Sequence, residues 1–305
     1  MPCFHPLKGF RSKETTNRGK RKIVFNTQMG HRDLPVTVPC GQCIGCRLER
    51  SRQWAIRCYH EAQLYDRNAF ITLTYNDQHL PKSGSLNLRH LQLFMKKLRK
   101  SQGPRIRFFA CGEYGENFRR PHYHVCLFNF EPPDKVLFKQ RDGVRLYQSD
   151  LIDKIWGQGF TLTGDVTFQS AAYVARYILK KINGPDAENH YENIDPVTGE
   201  IFQLKPEFTV MSRRPGIGKD WLNKYRSDVF DHDHVIINGK AVKPPKYYDR
   251  QFEIEYPSDY RKIRMRRKWG AKQHAENNTP ERLAVRETVQ KARLNKLPRT
   301  LEENP

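Results

Sequence analysis

Two apolar runs, RIRFFACGEYG (105 to 115) and PHYHVCLFNF (121 to 130), are separated only by the polar stretch ENFRR, so the economical arrangement is an antiparallel hairpin. The second run carries an oddity for a buried strand. His122 and His124 lie two residues apart, and strand alternation points both imidazoles to one face, about 6.5 to 7 Å apart along the backbone. The bland reading is a pair of hydrogen-bonded core histidines. The alternative is a pair of ligands converging on one cation. The hairpin brings Glu113 to the level of both histidines. A His, His, Glu set leaves coordination positions open for substrate oxygens and suits Mg2+ or Mn2+ as well as Zn2+. Such a site is suited to phosphoryl chemistry. The lesser alternative makes Glu113 an ordinary surface partner of Arg119 or Arg120.

The pattern around the hairpin implies an α+β fold, a central antiparallel sheet with flanking helices. Leu48, Ala55, Cys58, Ala62 and Tyr65 recur on one face of a helix ending near 65, and NAFITLTYND (68 to 77) reads as a strand. Its Thr72, Thr74 and Asn76 alternate with apolar residues as in a half-buried strand. Leu88, Leu91, Met95 and Leu98 form the inner stripe of a second helix. A helix is expected over 148 to 157, a strand in GDVTFQ (164 to 169), a helix from Ser170 to about Ile182, and a long loop over 183 to 200. Residues 1 to about 45 show little periodicity. The division expected is a Cys-containing N-terminal segment and helix (1 to 65), a core (66 to 183), and a basic accessory region (184 to 305) with weak periodicity and a disordered end.

Charge narrows the partners. With 54 Lys plus Arg against 33 Asp plus Glu, the chain carries a formal +21. This implies a polyanion, nucleic acid first. No window reaches the roughly 18 to 20 apolar residues of a membrane span, and the start lacks a signal-peptide core, so no membrane association and a cytoplasmic location are expected. Seven cysteines suit reduced thiols or metal ligation better than a full disulfide set. Cys40, Cys43 and Cys46 have zinc-knuckle spacing, and Cys3 could supply a fourth ligand to a structural Zn2+; three free thiols around a turn is the competing reading. Cys58, Cys111 and Cys126 read as buried small residues. RRPGIGKDW lacks P-loop spacing, so no ATPase is expected and duplex unwinding requires a host helicase. Arg213 and Arg214 in that stretch are candidate phosphate contacts, as are Arg119 and Arg120 beside the histidines.

Nucleophile candidates lie in AAYVARYILKK (171 to 181). Tyr173 and Tyr177 are four apart and share a helix face, either as a core stripe or as a reactive pair. A phenol ionising near 10 needs neighbouring positive charge to act at neutral pH, and Arg176, Lys180 and Lys181 provide it.

On these residues the chain resembles a known family. PHYHVCLF is similar to the His-hydrophobic-His motif of HUH endonucleases, AFITLTYND resembles their first strand, and YVARYILKK resembles the two-tyrosine motif of rolling-circle initiators. Together with PCGQCIGCR and MSRRPGIG, the set looks like the replication initiation proteins of small single-stranded DNA phages, the gokushovirus group of the Microviridae, over most of residues 1 to 220. The resemblance implies a metal-dependent nickase acting on a viral DNA origin, single-stranded or supercoiled, in a bacterial host. One tyrosine attacks the phosphodiester, leaving a 5′-phosphotyrosine link and a 3′-hydroxyl for a host polymerase to extend. The other tyrosine permits a second cut and resealing of the displaced strand. By the same resemblance Lys180 stands near the active site. Arg176 departs from the Lys common in relatives, keeping the charge without a transferable proton. A non-catalytic basic regulator and a transposase or relaxase relative are the alternatives.

Overall fold

The alternation read in the hairpin becomes the centre of the molecule. A computed structural model describes residues 3–17, 19, 21–115, 118–141, 143–176, 187–194 and 198–296. In chain order the elements are β1 (Leu7–Thr15), β2 (Arg21–Val24), β3 (Gly30–Val38), α1 (Ile44–Ala62), β4 (Asn68–Thr74), α2 (Leu88–Gln102), β5 (Arg107–Tyr114) and β6 (Pro121–Phe128). Then come β7 (Val136–Arg141), β8 (Val144–Gln148), α3 (Asp150–Trp156), β9 (Thr161–Gly164), α4 (Phe168–Arg176), α5 (Ala187–His190), β10 (Glu192–Ile194), β11 (Ile201–Gln203) and β12 (Phe208–Met211). The remainder is α6 (Lys219–Lys224), α7 (Arg226–His232), β13 (Val235–Ile237), β14 (Lys240–Val242), α8 (Lys246–Glu255), α9 (Pro257–Lys272) and α10 (Pro280–Asn295).

Seven strands form an antiparallel sheet in the order β12-β5-β6-β4-β9-β8-β7, confirming the α+β class. The two faces follow from period-two alternation. Ile71, Leu73, Ala110, Tyr123, Val125 and Leu127 point to one face, where Leu91, Phe94, Met95 and Leu98 of α2 and Ile152, Ile155 and Trp156 of α3 close a core. Phe109, Cys111, Cys126 and Phe128 point to the other, covered by Cys58 and Ala62 of α1 and Ala171, Tyr173, Val174 and Ala175 of α4. The three cysteines expected as small core residues, Cys58, Cys111 and Cys126, are fully buried there. Behind α1, Ile56 joins Leu222, Val229, Phe230, Tyr248 and Phe252 in a further apolar layer.

Several expectations need correction. The strand expected at 164 to 169 is β9, Thr161–Gly164, and Phe168 already starts α4. The β-branched Val166 and Thr167 mimic a strand, but Thr167 and Ser170 cap the helix reciprocally: Thr167 N donates to Ser170 Oγ (2.8 Å) and Ser170 N to Thr167 Oγ1 (3.1 Å). The loop expected over 183 to 200 contains α5 and β10, and its Tyr191 is buried, donating to Glu207 Oε2 at 2.5 Å. Residues 1 to 45 hold a three-stranded sheet, β2-β1-β3. From Lys246 to Asn295 the C-terminal region is mostly helical, in α8, α9 and α10, and the end expected to be disordered lies, from 297 on, outside the described residues.

The chain forms two compact units, one of Met1–Glu49 with Arg264–Pro305 and one of Arg50–Ile263. Tyr191, Leu204 and β12 belong with the large sheet, because β12 pairs with β5 and the two side chains enter its core. No helix among the described residues is long and apolar enough to cross a membrane.

Candidate metal centre and nucleophile helix

Register places the site. On β6, His122 pairs directly with Glu113 of β5 and with Thr74 of β4, while His124 pairs with Cys111 and Thr72. All these side chains point to the face that α4 covers. Glu113 Oε1 lies 2.6 Å from His122 Nε2 and 3.1 Å from His124 Nε2. Glu113 is 1% exposed and its Oε2 is buried with no partner. Asp77, rather than Glu113, pairs with Arg120, at 2.7 Å.

The outer nitrogens fix what the inner ones can do. A carbonyl only accepts, so His122 Nδ1 carries a proton donated to Arg120 O at 3.1 Å. The Thr72 hydroxyl stands 3.0 Å from His124 Nδ1, placed to accept in the same way. Neutral imidazoles held so present Nε2 lone pairs to a carboxylate oxygen, which is repulsive unless a proton or a cation lies between. When protons lie between them the imidazoles donate instead, and although burial works to raise the Glu113 carboxyl, those hydrogen bonds and that charge outweigh it and hold it below the ordinary carboxylate value. Three ligand atoms within 4.8 Å of one another and an unpartnered carboxylate oxygen fit a divalent cation.

Tyr173 reaches this site from α4. Its ring meets His124 edge-on at 5.1 Å between centroids and Phe70 at 6.3 Å, while Phe70 stacks on His124 at 5.5 Å. Arg176 places its guanidinium carbon 5.5 Å from the Tyr173 ring. Tyr173 is thus both part of the apolar layer and a neighbour of the candidate ligands. Tyr177, Lys180 and Lys181 lie outside the described residues.

The expected DNA contacts sort differently. Arg120 is held by Asp77 and by Tyr75 O (3.1 Å), and Arg119 donates to His190 O at 2.8 Å. Arg213 and Arg214 are exposed. The glycines after them serve close packing. A Cβ at Gly216 would meet Tyr247 Oη at 2.5 Å, and one at Gly218, which has φ +76, would meet Tyr248 Oη at 2.6 Å. Glu61 Oε2 accepts from Gly218 N (2.6 Å) and Arg107 donates to Pro215 O (2.8 Å), fastening this loop to α1 and β5.

Sequence reading missed the role of Thr72. Its alternation put it on the right face, but the β4-to-β6 pairing that brings it to His124 is non-local.

In the other unit, Leu7 pairs with Val38, so the β1–β3 ladder carries Cys3 toward Cys40. Cys3, Cys40, Cys43 and Cys46 bring their sulfurs within 4.8 Å of one another, none in a disulfide. Cys40 N donates to Cys3 Sγ (3.2 Å), Cys43 N to Cys40 Sγ (3.3 Å) and Phe4 N to Cys43 Sγ (3.4 Å). Burial works to raise the Cys43 thiol, but backbone N–H groups of Cys46 and Phe4 bring it down to about 7. Burial pushes Cys3 and Cys46 up. Both clusters are compatible with a metal.

Comparison with known proteins places the chain. The family model for replication-associated protein ORF2/G2P matches residues 68–182, the stretch that holds both histidines, Glu113 and Tyr173. Replication-associated protein VP4 of Bdellovibrio phage phiMH2K is 34% identical over 289 residues, 90% of this chain and 85% of the relative. Replication-associated protein ORF2 of Spiroplasma virus 4 is 35% identical over 239 residues, covering 73% and 70%. Replication-associated protein ORF4 of Chlamydia phage 1 is 27% identical over 246 residues, covering 74% and 58%. No solved structure matches. On this coverage the chain belongs to the gokushovirus-type family of phage replication-associated proteins.

Proposed function

We propose that this chain initiates rolling-circle replication by nicking the origin strand of phage DNA. The observation that carries this reading is the convergence of Glu113, His122 and His124 beneath the ring of Tyr173. Glu113 Oε1 and the two Nε2 atoms would hold Mg2+ or Mn2+. When bound, such an ion polarises a scissile phosphate and offsets charge on its oxygens. Arg120 O and Thr72 Oγ1 orient the imidazoles so that their lone pairs face inward.

The Tyr173 oxygen attacks phosphorus, the bond from phosphorus to the 3′-oxygen breaks, and that oxygen leaves to become a 3′-hydroxyl on gaining a proton. The 5′-phosphate stays on the tyrosine. The reverse attack by a 3′-hydroxyl restores the phenol and rejoins the strand. Tyr177 supplies the second such reaction, and Arg176, Lys180 and Lys181 favour the phenolate. Exposed Arg213 and Arg214 contact DNA phosphate, with lesser contributions from the tethered Arg119 and Arg120. A host helicase unwinds the duplex and a host polymerase extends the 3′-end.

Incubating the chain with Mn2+ and origin DNA should give a protein–DNA adduct that survives boiling in detergent. Tyr173→Phe should reduce it at least tenfold, and Tyr173→Phe with Tyr177→Phe should abolish it; an adduct persisting in the double variant would refute the nickase reading. The four-cysteine cluster we assign to a structural Zn2+, on the strength of its N–H···S contacts and tetrahedral ligand count. Thiol-specific titration of the purified chain should release about one zinc per chain, and Cys43→Ser should release none.

A further inference from the structure

Arg57 on α1 is only 9% exposed, yet its guanidinium makes a single hydrogen bond among the described residues, Nε to Ile217 O at 3.0 Å. The planar group is clamped between two rings. Its carbon lies 4.0 Å from the Trp54 ring and 3.8 Å from the Tyr247 ring. Trp54 is itself stacked on Phe109 at 4.9 Å, and Tyr247 is backed by the close approach of Gly216. A guanidinium fixed this way has lost its torsional freedom before any ligand arrives.

Arg57 lines a cavity of about 210 Å³ together with Arg50, Lys246 and Arg250, and no carboxylate lines it. An oriented fork of N–H donors and further cations recognises a phosphate, and Glu61, the acid that acts on Arg57 from outside the pocket, is already engaged by Arg107 and Gly218 N. The volume decides what part of a nucleotide enters. Pockets for whole drug-sized ligands run to roughly 300 Å³ or more, so this one takes a phosphodiester group and not a nucleoside.

Position connects the pocket to the candidate metal centre. Phe109, under Trp54, lies on the same strand and the same sheet face as Glu113, four residues away, or about 13 Å along β5. We propose that the Arg57 pocket is a second DNA subsite, gripping a backbone phosphate of the single strand on which the metal centre acts. This rests on the reading of the chain as a DNA-handling protein.

The test is fluorescence anisotropy with a labelled 20-mer of dT in EDTA, over a range of NaCl concentrations. Arg57→Gln should weaken binding about tenfold and flatten the slope of log affinity against log salt by about 0.7, one phosphate contact. The exposed pair Lys246→Gln with Arg250→Gln, which line the same one-phosphate pocket, should flatten it by up to about 0.7 and decides the matter if Arg57→Gln does not fold. A folded variant with wild-type affinity and slope overturns the proposal. So does a pocket that binds only free anion, seen as inorganic phosphate raising the melting temperature of the wild type but not of Arg57→Gln while the DNA slope stays unchanged. Because EDTA removes cleavage from the measurement, a failed adduct assay leaves this comparison standing. Conversely, an unchanged slope beside intact adduct formation removes the subsite alone.

Discussion

His60 and His124 are buried and His122 beside it is partly so, yet their surroundings differ in kind. His60, on α1, lies flat against Trp221 with ring centroids 3.5 Å apart, and its Nδ1 meets Tyr248 Oη at 2.9 Å. Every contact closes that imidazole in, and burial drives its pKa down to about 3. On β6 the outer nitrogens are tied back to Arg120 O and Thr72, while the inner ones converge on one carboxylate oxygen whose twin has no partner. Burial alone therefore does not separate a structural histidine from a candidate ligand. The direction in which the unsatisfied lone pairs point does.

Breaking that contrast at the ligands should have the largest effect. His122→Gln with His124→Gln, which still offers amide donors to Glu113, should lower adduct formation by about 10³-fold or more, the loss expected when metal-ion catalysis is removed. His60→Gln should leave adduct formation within about threefold of wild type, a change worth under about 1 kcal/mol. Equal losses in the two variants would erase the distinction.

The next effect is on stability and runs the other way. His60 has a folded pKa near 3 against 6.5 for an ordinary imidazole, so the unfolded chain takes up its proton first as pH falls. Its contribution is complete above 6.5 and declines by roughly 1.4 kcal/mol per pH unit until about 3. Urea unfolding at pH 6.5 and 4.5 should therefore show a loss about 2 kcal/mol larger in wild type than in His60→Gln. Identical acid sensitivity would mean that His60 is not held neutral.

The smallest effects sharpen the comparison at the partners. Thr72→Val should weaken Mn2+ binding by about 10- to 100-fold in calorimetry, as loss of an orienting hydrogen bond does, with little change in melting temperature. Tyr248→Phe, which removes the equivalent partner of His60, should cost about 1 kcal/mol of stability and leave Mn2+ affinity alone.

What could be read from the chain follows the range of the interactions. His122, His124 and Glu113 were legible because one short turn joins their strands, so period and proximity suffice. Tyr173 was legible from helical spacing. Thr72 and Arg57 were not, because what gives them meaning arrives from far along the chain: His124 from 52 residues away, and the carbonyl of Ile217 from 160. The N-terminal strands were invisible for another reason. Their exposed Leu7, Ile23 and Leu34 and half-covered neighbours leave little hydrophobic alternation to detect. At β9 the misplacement came from Val166 and Thr167, whose β-branched side chains outvoted a capping pair that only the fold makes visible.

The strand carrying both histidines is paired along both of its edges, with β5 on one side and β4 on the other. Amide protons in such a strand exchange with solvent only when the surrounding sheet opens. The geometry of the candidate metal site therefore has no private melting transition. Heat inactivation should coincide with global denaturation, making catalytic competence an all-or-none readout of whether the seven-stranded sheet is intact.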